Sequence, residues 1–318
     1  MDSILLALNR KTYYQNIELY YKKHSINARC LLLVIVGLCL VHVCKSQRLT
    51  PALRTGLTFS RIQGGTEHDD RGLPLETHLF TTGGHLGIGT DIALTSQFGL
   101  RAELLYNQKG TEYRYDGSSY WIFPTIDNER RYATGTRRML LSTRNTYLEL
   151  PVLMYLRSGR ATFVAGFSMG QLLRSKGTGE LLFSGITTNG SPTPPFRVAL
   201  EFDYLRDPLQ VPLWSDEVLL LPLDGVFVEV PIRMSAYYEA TTRPERYFYR
   251  LDLASQIGAD FNLSYNLFIG FRWSYSLRDV INDRQDVLRQ RLDEQQRYIL
   301  RNAIQRYSVL QLSGGIRF

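Results

Sequence analysis

Apolar and polar side chains alternate along most of this 318-residue chain in runs of about ten residues, and that rhythm sets the fold class before any single residue does. A period of two puts successive side chains on opposite faces of a β-sheet. In the first run, Leu53 to Ile62, Leu53, Leu57 and Phe59 lie on one face while Arg54, Gly56, Thr58 and Ser60 lie on the other. The same division recurs over Gly84 to Leu94, Gly99 to Asn107, Tyr147 to Leu156, Ala161 to Leu173, Tyr247 to Ala259, Leu267 to Ser276 and Tyr307 to Phe318. A sandwich core would turn its bulky apolar residues inward and its polar ones to water. Here the minority face carries glycine and charge while the majority face is continuously apolar, the pattern of a sheet with lipid on its outside.

Connection lengths give the topology. Thr95 to Phe98, Arg157 to Arg160 and Asp260 to Ser264 are tight, whereas the other four connections run from about 20 to about 70 residues. Outer-membrane barrels have short periplasmic turns and long external loops. The expected fold is therefore an all-β transmembrane antiparallel up-and-down β-barrel of eight strands, with both termini of the barrel in the periplasm. Within the longest connection, Gly177 to Arg246, two apolar stretches flank Asp224-Gly225, a dipeptide suited to a tight hairpin turn. Counted into the wall, that hairpin would raise the total to ten strands; with eight it stands above the membrane. In the last connection, over 282–301, Leu288, Leu292 and Ile299 fall near helical spacing, and Asp293 lies four residues from both Arg289 and Arg297, so a short surface helix is expected. Two aromatic girdles are expected, with Phe98, Tyr155, Phe163, Phe261, Tyr265 and Phe318 at the periplasmic rim and Tyr113, Tyr147, Tyr247, Tyr249 and Tyr275 at the outer one.

One segment breaks the rhythm. Leu31 to Val43 is almost uniformly apolar but falls short of the roughly 20 residues of a spanning helix. It follows Lys22, Lys23 and Arg29 and leads into Cys44-Lys45-Ser46-Gln47, so residues 1–46 are expected to be an export signal, a retained anchor being the alternative. Removing that leader changes two inferences. The formal charge of the whole chain is +7, but six basic and two acidic residues precede Arg48, which leaves only +3 and little support for nucleic-acid binding. All the cysteines, Cys30, Cys39 and Cys44, are also in the leader, so the exported domain has no disulfide framework.

Several stretches resemble the PorT-type outer-membrane β-barrel proteins, within the broader porin-like outer-membrane barrel domain. They are Gly56 to Gly64 (GLTFSRIQG), Leu100 to Gly110 (LRAELLYNQKG), Tyr147 to Leu156 (YLELPVLMYL), Phe163 to Leu173 (FVAGFSMGQLL) and Gln311 to Phe318 (QLSGGIRF). The resemblance implies a barrel embedded in outer-membrane lipid and folded by the barrel-assembly machinery, whose recognition of a terminal aromatic would fall on Phe318. It implies no single activity, because the family shares a shape more than a function.

Strand parity sends Arg54, Asp91, Arg101, Glu103, Glu149, Arg250, Asp252, Arg272 and Arg317 to the lumen, together with His85 and Asp260. The lumen of an eight-stranded barrel is just wide enough for side chains to fill it, and charges buried there must pair. An Arg–carboxylate network that plugs the barrel is expected, with a narrow porin-like path for small solutes as the alternative. No cofactor or metal site is expected. A hydrolase would need chemistry that only His68, Asp69 and Asp70 offer, and three adjacent loop residues more often make a solvated turn. The remaining reading is a non-enzymatic structural or surface-binding platform. The exported part has 29 Arg and two Lys, Lys109 and Lys176, and the long connections hold Tyr113, Arg114, Tyr115, Tyr120, Trp121, Arg130, Arg131, Arg137 and Arg138. Arginine binds phosphate and carboxylate bidentately, so the expected partners are anionic surface polysaccharide or lipopolysaccharide phosphate, or a secretion component.

Overall fold

In the computed structural model, residues 49–124, 130–207, 218–238 and 245–318 are described. The expected export signal, 1–46, lies outside them. Eight of the described strands close into a ring: β1 (Leu49–Gly64), β3 (Thr81–Ala93), β4 (Phe98–Pro124), β5 (Arg130–Ser158), β6 (Ala161–Thr187), β11 (Leu251–Asn262), β12 (Leu267–Ser276) and β13 (Gln305–Arg317), the last returning to β1. The seam pairs β1 and β13 antiparallel from Ala52↔Arg317 to Gly64↔Gln305. The tight turns are all at the rim near this seam's Arg317 end. Thr95 Oγ1 accepts from the backbone of Gln97 and Phe98 in one, and Gly159 takes a φ of +58° in the second. In the third, Leu263 N donates to Leu267 O at 2.9 Å.

The outer face of the ring is an apolar belt that includes Leu57, Ile88, Val152, Phe167, Ile257 and Phe271, each at least half exposed. No other described residue covers it, and lipid is the environment that makes such a surface stable. Phe98, Phe163, Phe261, Tyr265 and Phe318 are exposed at the periplasmic rim, and Tyr106 and Tyr249 at the other end. Four tyrosines assigned to the girdles from sequence belong elsewhere: Tyr113, Tyr147 and Tyr155 are buried on the inner face, and Tyr247 packs on Tyr204 and Phe248 against the apolar core.

Strands β4, β5 and β6 are 27, 29 and 27 residues long, far beyond the expected ten. Their alternation continues past the lipid belt while its polarity inverts. On β4 the inner face changes from Arg101, Glu103 and Lys109 to Tyr113, Tyr115, Trp121 and Phe123, and the outer face changes from Leu104 and Tyr106 to Arg114 and Asp116. A β-bulge helps hide this in the sequence. Tyr147 pairs with Leu172 and Thr146 with Arg174, so Leu173 is an extra residue on β6. Side chains inward of it fall on even numbers and beyond it on odd ones. A bulge does this by putting two residues opposite one, and the expected strand stopped at that residue. Gly177, taken from sequence as the start of a loop, is inside β6.

Above the membrane the extended sheet is widened by β7 (Pro192–Asp203) along β6 and by β2 (Glu76–Leu79) along β4, with the short β10 (Arg233–Met234) parallel to β7. The expected hairpin is present as β8 (Val218–Leu223) and β9 (Val226–Pro231), joined by Asp224 and Gly225 at φ values of 50° and 79°. It forms its own two-stranded sheet, so it adds nothing to the wall. Its Leu221, Leu223, Val228 and Val230 join Trp121, Phe123, Phe183 and Phe196 in one apolar core, with Trp121 and Phe196 edge to face at 4.9 Å. The expected helix over 282–301 does not form; no helix occurs among the described residues. Asp293 does pair with Arg297, but its Oδ1 caps a turn by accepting from the backbone of Gln295 and Arg297, and Gln296 has a φ of 60°. Leu288 and Ile299 meet across a backbone hydrogen bond of 2.8 Å in place of sharing a helical face.

The two environments predict opposite tolerance on one strand face. Val152→Arg, in the lipid belt, should lower unfolding stability in vesicles by about 2–4 kcal/mol. Leu140→Arg, on the same face of β5 but above the belt, should change it by no more than about 0.5 kcal/mol. Denaturant titration in lipid vesicles measures both.

Candidate functional site

The lower lumen is organised around Asp260, which is fully buried on β11. It accepts from Arg54 Nη2 at 2.9 and 3.0 Å, from Arg101 Nη1 at 2.5 Å and from Arg317 Nη2 at 2.8 Å. Arg101 also forms a bidentate pair with Asp91, at 2.6 and 3.0 Å, and Arg272 forms one with Glu103, at 2.5 and 2.7 Å. Arg54 Nε lies 3.6 Å from Glu103, and Arg157 reaches in from the rim to Asp91 at 3.1 Å. The arrangement needs a glycine on the neighbouring strand: a Cβ at Gly270 would come within 2.3 Å of Asp260 Oδ1. His85 bridges Thr58 Oγ1 and Ser313 Oγ at 3.0 and 2.9 Å, so it belongs to the packing of this layer.

A second layer lies one turn of side chains higher. Lys109 Nζ is 2.5 Å from Glu149 and 2.8 Å from Asp252, beneath the rings of Tyr147 and Tyr307 at 5.0 and 5.7 Å. Asn145 donates to Tyr307 Oη at 2.6 Å and Ser175 donates to Asn145 Oδ1 at 2.6 Å. Lys109, Asn145, Tyr147, Glu149 and Tyr307 are all at most 3% exposed. The structure thus brings Arg54, Asp91, Arg101, Glu103, Arg272 and Arg317 into one cluster and Glu149 and Asp252 into another. Arg250 joins neither: it is exposed just before β11, beyond the point where strand parity applies. Lys109 was missed because the third strand was ended at Asn107; carrying the odd parity of Arg101 and Glu103 two residues further finds it. Phe318 is 74% exposed at the periplasmic rim and its backbone N donates to Pro51 O at 2.9 Å.

Above the second layer, at the mouth of the barrel, is a cavity of about 260 Å³. It is lined by Ile62 and Gln305, at the upper ends of β1 and β13, by Thr111 and Thr143, midway along β4 and β5, and by residues of the lobe and the last connection. The last connection is pinned there by ion pairs. Arg301 bonds Glu76 and, at 2.9 Å, Asp286, while the Glu67 carboxylate accepts from the backbone of Arg289 and Gln290 at 2.8 and 3.0 Å. Burial raises the Glu67 and Asp286 carboxyls above their ordinary values, against the pull of Arg301. Burial also lowers the His78 imidazole, with Glu76 opposing, so the ring is neutral near pH 7.

The tyrosines and arginines read from sequence as loop ligands mostly face inward. Tyr113, Tyr115, Tyr120, Trp121 and Arg137 are buried, and Arg137 donates to Tyr120 O at 2.7 Å. Arg114 pairs with Glu112, and Arg138 with Asp116. A different basic group is left on the outer face just above the lipid belt. Arg144 on β5 is directly opposite Lys176 on β6, with Arg174 two residues nearer the membrane, all exposed and without an ion pair among the described residues. Asp203 flanks Lys176 on the other side but accepts from Leu205 N. His68 is exposed in a turn, its Nδ1 2.9 Å from Thr66 O, while Asp69 accepts from Arg71 and Leu73 N. The described residues contain no group of three or more side chains placed to hold a metal.

Removing one partner of a buried charge cluster leaves the others uncompensated. Asp260→Ala should therefore cost about 3–5 kcal/mol, whereas Asp69→Ala in the exposed turn should cost less than about 1 kcal/mol. Thermal or denaturant unfolding of the folded barrel in vesicles checks the contrast.

The fold resembles known outer-membrane barrels. The attachment invasion locus protein Ail of Yersinia pestis aligns over 85% of this chain and 99% of its own, at 13% identity and a TM-score of 0.32. Neisserial surface protein A aligns over 84% and 99%, at 8% identity and 0.30, and OprG of Pseudomonas aeruginosa over 86% and 97%, at 10% identity and 0.28. No curated relative matches the chain. The family model for the outer membrane protein beta-barrel domain matches residues 47–282, and the chain belongs to that family of bacterial outer-membrane barrels.

Proposed function

We propose that the protein is a non-enzymatic outer-membrane platform, closed to solute flow by its filled lumen, whose outer lobe binds anionic surface polymer. The observation that carries this reading is the two-layer luminal fill. Charges from six ring strands meet over Asp260, Asp91 and Glu103, and the Lys109–Tyr147–Tyr307 layer closes the bore above them. With the bore occupied, the surfaces left to meet other molecules are those above the membrane. Like charges directly across a strand pair are destabilising, and Arg144 opposite Lys176 becomes favourable when an anion bridges them. Their height just above the lipid belt suits the phosphates of lipopolysaccharide, which arginine binds bidentately.

Two finer readings complete the proposal. The motifs shared with PorT-type proteins favour that branch of the barrel family, and Phe318, exposed at the periplasmic end of the closing strand, serves as the recognition signal for the barrel-assembly machinery. The patch is tested by replacing Arg144, Arg174 and Lys176 with serine and measuring binding of detergent-purified protein to lipopolysaccharide micelles. Binding should weaken by about tenfold, the equivalent of about 1.4 kcal/mol. Unchanged binding would remove the patch from the account.

A further inference from the structure

Two arginines stand on the outer face of the barrel seam with no carboxylate to pair with. Arg61 on β1 is opposite Ser308 on β13, and Arg306 on β13 is opposite Gln63 on β1. The two are therefore diagonal neighbours on one sheet face, with Cβ atoms roughly 7 Å apart. Each guanidinium lies over an aromatic ring, Arg61 over Phe80 at 4.7 Å and Arg306 over Tyr275 at 6.0 Å. The Gln63 amide, with its oxygen turned towards Arg61, accepts from Nε at 3.0 Å and brings no charge. The acids close by in the chain are committed elsewhere: Glu112, opposite Leu79, pairs with Arg114, and Asp279 accepts from the backbone of Ile281 and Gln305. Neither seam arginine has an ion pair among the described residues. Two such cations repel one another, and an anion between them turns the repulsion into attraction.

The seam arginines are at the upper edge of the lipid belt. Arg61 is four residues above Leu57, as Arg144 is four residues above Leu148, and both leucines are exposed in the belt. Ser60 exchanges hydrogen bonds of 2.7 and 3.0 Å with the Gly110 backbone, and Gly110 is opposite Arg144, which sets Arg61 and Arg144 at about one level. Around the ring, β3 and β4 separate the seam from the β5–β6 pair on one side, and β11 and β12 separate them on the other. The seam arginines and the Arg144–Arg174–Lys176 patch are thus on opposite walls.

The surroundings select an amphiphile. Beneath the arginines the belt presents Leu57, Leu312 and Phe271, and beside them Trp273 and Phe80 are 39% and 46% exposed. A free phosphate would use the guanidinium groups alone, and an acyl chain the belt alone. From Trp273 on β12 to Phe80 at the start of β3 the site crosses three strand spacings, about 14 Å. A single phosphodiester headgroup covers part of that width. Lipopolysaccharide, with phosphates on a sugar head above several acyl chains, covers all of it. We infer that the outer face of the seam is a second site for lipopolysaccharide phosphate, so that one barrel holds a lipopolysaccharide molecule on each of two opposite walls.

The inference rests on the platform reading and deepens it. The test is native mass spectrometry of full-length protein in detergent, titrated with rough-type lipopolysaccharide, its dephosphorylated form and phosphatidylglycerol. Wild-type protein should bind two equivalents of lipopolysaccharide. Arg61→Gln/Arg306→Gln should keep heat-modifiable gel mobility and lose one equivalent, its affinity there falling at least about tenfold. Arg61→Lys/Arg306→Lys, which keeps the charge, should retain both. The serine variant of Arg144, Arg174 and Lys176 should lose the other equivalent. A second equivalent that persists in the folded glutamine variant would overturn the inference. So would two equivalents of the dephosphorylated form, or equal binding of phosphatidylglycerol, each read on wild-type protein. If wild-type protein binds one equivalent, kept by the glutamine variant and lost by the serine variant, the seam site alone fails; if it binds none, the platform's anionic ligand fails with it.

Discussion

Everything in this barrel depends on how a narrow lumen accommodates charge. Eight strands leave room for side chains and little else, so a carboxylate placed inside must find guanidinium groups at hydrogen-bonding distance or destabilise the fold by several kcal/mol. Asp260 meets this constraint by accepting from Arg54, Arg101 and Arg317, which come from β1, β4 and β13. Because β1 and β13 form the seam, one carboxylate ties the closing strand pair to the opposite wall. Gly270, beside it, has no side chain to obstruct the approach. The luminal ion-pair network is thus also what holds the seam to the rest of the ring.

The same strands serve two solvents in turn. Where lipid surrounds them, apolar residues face out and charge faces in; where water surrounds them, the assignments exchange. Arg101 and Trp121 share the inner face of β4, and Leu104 and Arg114 share the outer face. The inversion lets β4, β5 and β6 rise through the membrane and become one side of an apolar-cored lobe, which the β8–β9 hairpin covers. The cavity is at the level where the two regimes meet, which is why it is lined by both aromatic rings and hydrogen-bonding groups.

The membrane wall was legible in the sequence because period-two alternation depends only on lipid outside and polarity inside. The parity of Arg54, Arg101, Glu103 and Arg272 placed them in the lumen for that reason. What sequence alone obscured was the change of solvent. Tyr113 and Trp121 resemble loop aromatics once the apolar face is assumed to point outward, and the bulge at Leu173 breaks the count on β6. Arg250 precedes its strand, so parity had no purchase on it. The segment 282–301 has helical spacing, but the carboxylates of Glu67 and Glu76 bind its backbone and Arg301 from outside, and that long-range pinning has no local signature.

A barrel occupied by its own ion pairs leaves its outer surfaces to meet other molecules, and the functional account stands or falls on that occupancy. Single-channel recording of the purified protein in planar bilayers examines it directly. The account predicts no steady open current, because Lys109, Tyr147 and Tyr307 close the bore above the Asp260 cluster. A stable, ion-selective open level in the wild-type protein would contradict it and make the luminal charges the lining of a pore.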